Sequence, residues 1–290
     1  MISFGPTEEQ EVVRAAMREF AAQVLRPAAR EADETSRPPE SVLAQVAELG
    51  LTSTQLPESA GGGGETRSPV TNVLVLEELA WGDPALAMAA VSPALFAFPV
   101  ADFGSEAQKA RWLPAFCGEG FHAGSLAWIE PSPIFDPLAL ATKAEAKGDA
   151  YVLSGRKRFV PMGDRAEHFL VVTRALANGE GGPGALDAFV VPRDAAGLTI
   201  SEPEKNLGLR ALPTVSLELE RVEVAAEARL GGTAGIDGRR LLALTRTAQA
   251  ALLVGLSRAV MDYAIPYAKE RHAFDEAIAQ KQAIAFMLSD

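Results

Sequence analysis

The spacing of apolar residues changes twice along this chain, and that constrains its fold more than any single residue does. Up to about residue 120, apolar residues recur at three- and four-residue steps. Val13, Ala16, Phe20 and Val24 form one such stripe. From about 122 to 228 the apolar runs are short and β-rich: Tyr151-Val152-Leu153, His168 to Thr173, Ala188 to Val191 and Val215 to Val224. Within the last, Thr214-Val215-Ser216-Leu217-Glu218-Leu219 alternates strictly, as a strand with one buried face must. From about 236 the helical spacing returns at Leu244, Ala248, Leu252, Gly255 and Ala259, with small residues that let another helix come close. The order predicts an α+β multidomain chain. Its parts are an N-terminal helical domain over 1–121, a central small antiparallel β barrel or sandwich over 122–230, and the start of a C-terminal helical bundle over 231–290.

Local signals place the elements. Thr7-Glu8-Glu9-Gln10 fits a capping box, in which the Thr7 hydroxyl accepts from the Gln10 amide and the Gln10 side chain reaches back. Pro27 must kink or interrupt the helix that follows. Glu40 to Leu49 reads as a helix closed by Gly50. Gly61 to Gly64 reads as a flexible loop, Val70 to Ala80 and Pro84 to Phe98 as buried helices, and Ser105 as the N-cap of a helix reaching Phe116. Turns are expected at Lys147-Gly148-Asp149, over 178–184 and at Asp194 to Gly197. Asp275 reads as the N-cap of a last helix, Ala277 to Leu288. Two helices with broad apolar faces do not make a stable bundle alone. The third region is therefore expected to be incomplete, its open face covered by further helices or by another chain.

Charge and composition remove several function classes. The 27 basic and 38 acidic side chains give a formal net charge of -11. That opposes sequence-independent nucleic-acid binding, which depends on clustered Lys and Arg. No apolar run is read as reaching the roughly 18 residues of a membrane span. MISFGPTEEQ lacks the charged-then-apolar order of a signal peptide, so a cytoplasmic location is expected. The single cysteine, Cys117, excludes an internal disulfide, and three histidines make a histidine-rich metal site improbable.

Several segments, in order, resemble the acyl-CoA dehydrogenase family over essentially the whole chain. Near the N-terminus these are Thr7-Glu8-Glu9-Gln10, Glu48-Leu49-Gly50, Glu77-Glu78-Leu79-Ala80 with Gly82-Asp83, and Phe103-Gly104-Ser105-Glu106-Ala107-Gln108-Lys109. The middle offers Glu130-Pro131, Gly148-Asp149-Ala150-Tyr151-Val152-Leu153-Ser154-Gly155-Arg156-Lys157, and Asn206-Leu207-Gly208-Leu209-Arg210. The sharpest match is Tyr267-Ala268-Lys269-Glu270-Arg271-His272-Ala273-Phe274 with Ile278 and Gln282. The resemblance implies FAD, an acyl-CoA thioester substrate in fatty acid metabolism, and an electron-transfer flavoprotein or similar acceptor. It also implies a homotetramer built as a dimer of dimers.

That chemistry needs a base for the α-proton, a flavin to take the β-hydride, and hydrogen bonds to the thioester oxygen. By resemblance, Arg271, Phe274 and Gln282 match positions that reach a neighbour's cofactor, the guanidinium suiting a diphosphate. The family usually has Gly where this chain has Asp275. In the β region, Trp128 and Phe159 match flavin-contacting positions, but the surrounding segments depart from the pattern. A hydroxyl is replaced by Ile129, a Gly-Ser turn by Ile134-Phe135, and a Thr by Pro161, which lacks even an N–H. At roughly 0.5–1.5 kcal/mol for each net hydrogen bond, the loss amounts to several kcal/mol of cofactor affinity. The base lies, in most of the family, on a helix beyond residue 290; in a minority its position matches Thr245, which cannot act as a base near neutral pH. Glu130 resembles a structural position, so the catalytic base is left unassigned. Arg246 matches a position supporting the substrate site, or is a buried ion-pair partner. An alternative reading therefore stands beside the dehydrogenase: a non-catalytic or heteromeric subunit whose own FAD site is impaired and which completes a homologous partner's site.

Overall fold

A computed structural model describes residues 5–176 and 185–290. The expected order of helix, sheet and helix is present. The turn read at 178–184 lies outside the described residues.

The helical part opens with α1 (Glu8–Phe20), whose capping box forms as expected: Gln10 N donates to Thr7 Oγ1 at 3.2 Å and Thr7 N to Gln10 Oε1 at 3.0 Å. A π turn over Ala21–Leu25 joins it to α2 (Arg26–Thr35). The disturbance demanded by Pro27 is taken up there: a proline has no N–H for the carbonyl four residues back, and the preceding turn widens. Then come α3 (Glu40–Leu49), ended by Gly50 in the left-handed conformation, and α4 (Pro69–Gly82). The expected single helix from Pro84 is two, α5 (Pro84–Ala90) and α6 (Ser92–Phe103), divided at Val91. After α6 comes α7 (Glu106–Trp112), with Ser105 as its N-cap.

One expectation about length needs correction. The stretch Pro84–Phe103 is 20 residues long, with a mean hydropathy of 1.7, and so is long and apolar enough to cross a bilayer. Its apolar window is 61% buried inside the protein, where Leu86, Phe96 and Val100 belong to the core. Burial against protein rather than lipid explains its composition.

The middle region is two four-stranded sheets. One has the order β1 (Ser125–Ala127), β4 (His168–Arg174), β5 (Ala185–Pro192), β8 (Ile236–Asp237). The other runs β2 (Lys143–Lys147), β3 (Ala150–Pro161), β7 (Thr214–Ala225), β6 (Leu198–Ile200). All pairings are antiparallel except β1 with β4. Phe169, Val171, Phe189, Leu153, Val160, Val215 and Leu217 from both sheets share one apolar cluster. The β3–β7 pairing slips between Leu153 and Gly155 and again between Lys157 and Val160.

The third region is dominated by α8 (Gly238–Glu270), capped by Asp237, whose carboxylate accepts from Arg240 N. It lies against α4 at Gly255, where a Cβ would stand 2.1 Å from the carbonyl oxygen of Glu77; only glycine admits this approach. Beside that contact, Glu78 is 1% exposed and binds Arg18 and Arg258, the latter also pairing with Glu77. Trp81 Nε1 donates to Asp262 at 2.7 Å. The end of the chain differs from expectation. Asp275 does not cap a helix. Phe274 and Asp275 form the tip of a hairpin between β9 (His272–Ala273) and β10 (Glu276–Ala277), and α9 (Gln282–Ser289) begins five residues later than expected, with Lys281 at its N-cap.

Candidate functional site

The residues singled out from sequence fall into two groups. Trp128 and Phe159 lie in the β region. Trp128 follows β1, is buried, and donates its indole N–H to Pro137 O at 2.8 Å. Phe159 sits in the second slip of β3 with φ +51°, 44% exposed, with the Arg158 guanidinium 4.8 Å from its ring centroid. Arg158 N donates to Ile129 O at 2.9 Å, so Ile129, 41% exposed, lies within one residue of Phe159 across that bond. Two apolar side chains are thus held outward from adjoining backbone. Phe135 instead turns onto the apolar cluster that includes Trp128 and Leu140, so it fills the interior.

The second group is at the end of α8. Arg271 is the C-cap residue, its N–H donating to Tyr267 O at 2.8 Å and its carbonyl accepting from Ile278 N at 2.8 Å. Phe274 is 89% exposed at the hairpin tip, with Lys281 Nζ 5.5 Å from its ring centroid. Gln282 opens α9. Arg271 and Gln282 are exposed, and Arg271 makes no ion pair among the described residues. The two groups share no hydrogen bond or ion pair among those residues. Arg246, on α8, is exposed and without an ion pair there, which corrects the reading of it as a buried partner.

The two side chains weighed from sequence as a base are both engaged in hydrogen bonds. Thr245 Oγ1 donates to Leu242 O at 3.0 Å. Glu130, 8% exposed, accepts from Ala141 N (2.7 Å), Thr142 N (2.8 Å) and Lys157 Nζ (2.9 Å). Burial would raise its carboxyl, but the hydrogen bonds from Thr142 and Lys157 and the ammonium charge outweigh burial and hold it below the usual carboxylate range. Lys157 is the residue that sequence reasoning passed over. It lies on the inward parity of β3, the one signal that could have flagged it. Two clefts among the described residues, about 40 and 190 Å³, include none of these side chains. Both are smaller than the roughly 300–1,000 Å³ of an enclosed small-molecule site.

Residues 7–119 match the N-terminal domain of acyl-CoA dehydrogenases, 125–222 the middle domain and 236–290 the C-terminal domain. The chain belongs to the acyl-CoA dehydrogenase family. It is 36% identical over 292 residues to a Caenorhabditis briggsae protein named probable medium-chain specific acyl-CoA dehydrogenase 2, mitochondrial, covering all of this chain and 71% of that protein. A glutaryl-coenzyme A dehydrogenase solved with glutaryl-CoA matches with a TM-score of 0.84 and 31% identity, over 99% of this chain and 73% of that one. A glutaryl-CoA dehydrogenase from Mycobacterium smegmatis, solved with FADH2, matches with a TM-score of 0.81 and 25% identity, over 98% and 71%. For an acyl-CoA dehydrogenase, the exposed apolar pair and Arg271, without an ion pair among the described residues, are the features that suit a flavin dinucleotide. The first offers a planar ring a dry surface, and the second offers a diphosphate a permanently charged fork.

Proposed function

We propose that the protein is an FAD-dependent acyl-CoA dehydrogenase that introduces an α,β double bond into an acyl-CoA thioester. When bound, FAD supplies the acceptor for the hydride leaving the β-carbon. Ile129 and Phe159 would shield its ring system from water, and backbone near Trp128 would help to hold it. Arg271, Phe274 and Gln282 would serve a neighbouring copy: the guanidinium would hold the diphosphate, the phenyl ring would pack on the flavin, and the carboxamide would hydrogen-bond to it. Arg246 supports the substrate site. Neither Glu130 nor Thr245 takes the α-proton, since both are committed to the hydrogen bonds described above. The assembly proposed is a dimer of dimers, and the electron acceptor an electron-transfer flavoprotein or similar protein.

The observation that carries this reading is the presence of outward apolar residues at Ile129 and Phe159 and an exposed Arg271 in a chain whose residues 7–119, 125–222 and 236–290 match the family's three domains. The test is the absorbance spectrum of the purified protein, its mass in solution, and reduction of a dye acceptor with short- and medium-chain acyl-CoA. A yellow oligomer that turns over supports it. A protein that stays colourless and inactive after FAD is added overturns it.

One observation favours the second reading. Ile129 and Pro161 offer no hydroxyl, and Phe135 fills space against the core. An impaired subunit would lend Arg271, Phe274 and Gln282 to a homologous partner. It would be recovered with that partner, and FAD would be held only by the pair.

A further inference from the structure

Lys157 is 0% exposed, and its ammonium is spent on one short stretch of chain. Nζ donates to Trp128 O at 3.2 Å and to Glu130 Oε1 at 2.9 Å. The next residue of β3, Arg158, donates its N–H to Ile129 O. Three consecutive residues, Trp128 to Glu130, are therefore fastened to two consecutive residues of β3. On its far side, Glu130 accepts the amides of Ala141 and Thr142, so the entry to β2 is tied into the same knot. The residue that follows the knot is Phe159, in the left-handed conformation, at the slip between Lys157 and Val160. A strand without that slip would alternate, and Arg158 and Phe159 would face opposite sides; here both turn outward while Lys157 and Val160 turn in.

A buried ion pair is an inefficient way to stabilise a fold. Its desolvation offsets most of the attraction, and apolar residues of similar volume often serve as well. What apolar residues cannot do is accept two amides and donate to a carbonyl at fixed positions. Burial pushes Lys157 down to about 8, against the pull of Glu130 upward, so near neutral pH both partners stay charged. The pair is best understood by what it orients.

We propose that Lys157 and Glu130 are positioning residues for the flavin: they fix the stretch Trp128–Glu130 against the slip in β3, so that Ile129 and Phe159 meet the same ring system. This rests on the FAD reading above. Neither residue touches the reacting atoms. Both act through the backbone they hold.

The test uses the full chain as its FAD-loaded oligomer, with Lys157→Met, Glu130→Gln and the double variant. Three quantities are read: the FAD dissociation constant, the shape of the bound-flavin absorbance bands, and backbone hydrogen exchange of the flavin-free protein. We expect each single variant to weaken FAD by about tenfold or more. The bands should move toward those of free FAD, and exchange should quicken over 127–142 and 157–161 but not over 8–35. The double variant should lose little beyond the larger single loss, because the two residues act as one unit. Variants that fall in thermal stability yet bind FAD with wild-type affinity and wild-type bands would overturn the proposal, since the pair would then be structural only. Unchanged exchange over 127–142 would overturn it as well. If a variant fails to fold, Glu130→Gln, which keeps one acceptor oxygen, decides by the same readouts. A wild-type protein that takes up no FAD would instead end the functional reading, and this proposal with it.

Discussion

Two seams in this molecule are each built round a buried glutamate, and they do different work. At the α4–α8 seam, Glu78 holds two arginines from two helices, both of which reach it from solvent. Burial would raise its carboxyl, but the hydrogen bonds from Arg258 and Arg18 and their charges hold it low. In the β region, Glu130 holds one fully buried lysine and two amides of a nearby segment. The first carboxylate joins elements far apart in sequence, α1, α4 and α8. The second sets the course of about a dozen residues. A buried charge can thus act as a fastener between bodies or as a jig within one, and the partners tell which.

That distinction predicts how each seam breaks. The largest effect is expected from Glu78→Ala, which leaves Arg18 without its carboxylate and Arg258 with Glu77 alone. A loss of about 1.5–3 kcal/mol is expected in urea unfolding, with α8 becoming open to limited proteolysis. If the cut sites fall in the β region instead, Glu78 is not the fastener. Next is Gly255→Ala, where the added methyl meets the Glu77 carbonyl. The helices must part, and about 1–3 kcal/mol should be lost by the same measurement, with FAD affinity of the β region little changed.

The pH dependence sharpens the contrast. Glu78 and Glu130 both titrate below their ordinary 4.5 in the folded protein. Their stabilisation is complete above that value and fades as pH falls through the folded values. Lys157 acts in the same sense but in a higher window, being lowered from 10.5 to about 8. Between those values the unfolded chain still holds the proton that the folded one has released, so this group adds stability as pH rises across the window. Thermal melts from pH 7 to 10 should show that upward contribution in the wild type and lack it in Lys157→Met. The smallest effect concerns the hairpin tip. Phe274 and Asp275 both hold positive φ, 57° and 66°, in a two-residue turn that favours Asn-Gly. Asp275→Gly should therefore raise stability by about 1 kcal/mol.

The helical regions were the most legible in sequence, because capping chemistry is local. Thr7 with Gln10, Ser105, and Gly50 announce their helix ends within four residues. The slips in β3 were not legible, since they depend on pairing with β7 more than fifty residues away. Asp275 was misread for a physical reason. Aspartate suits a helix N-cap and a left-handed turn alike, and strands of two residues are too short to show alternation. The candidate positions are legible in sequence, but their contacts are not. The motif points to Arg271 and Phe274 as candidates, whereas the contacts of Lys157 require knowing that its strand faces inward and that Trp128 and Glu130 lie beneath it.

At 33 residues, α8 is about 50 Å long, and it is clamped to α4 near its middle, at Gly255, Arg258 and Asp262. From Gly255 to the hook at Arg271 is an arm of about 24 Å. Helix backbones in contact at a glycine can neither slide nor roll without collision, so the clamp behaves as a fulcrum. A load applied at Arg271 would therefore reach the helical domain through that contact, along an arm that carries Pro266.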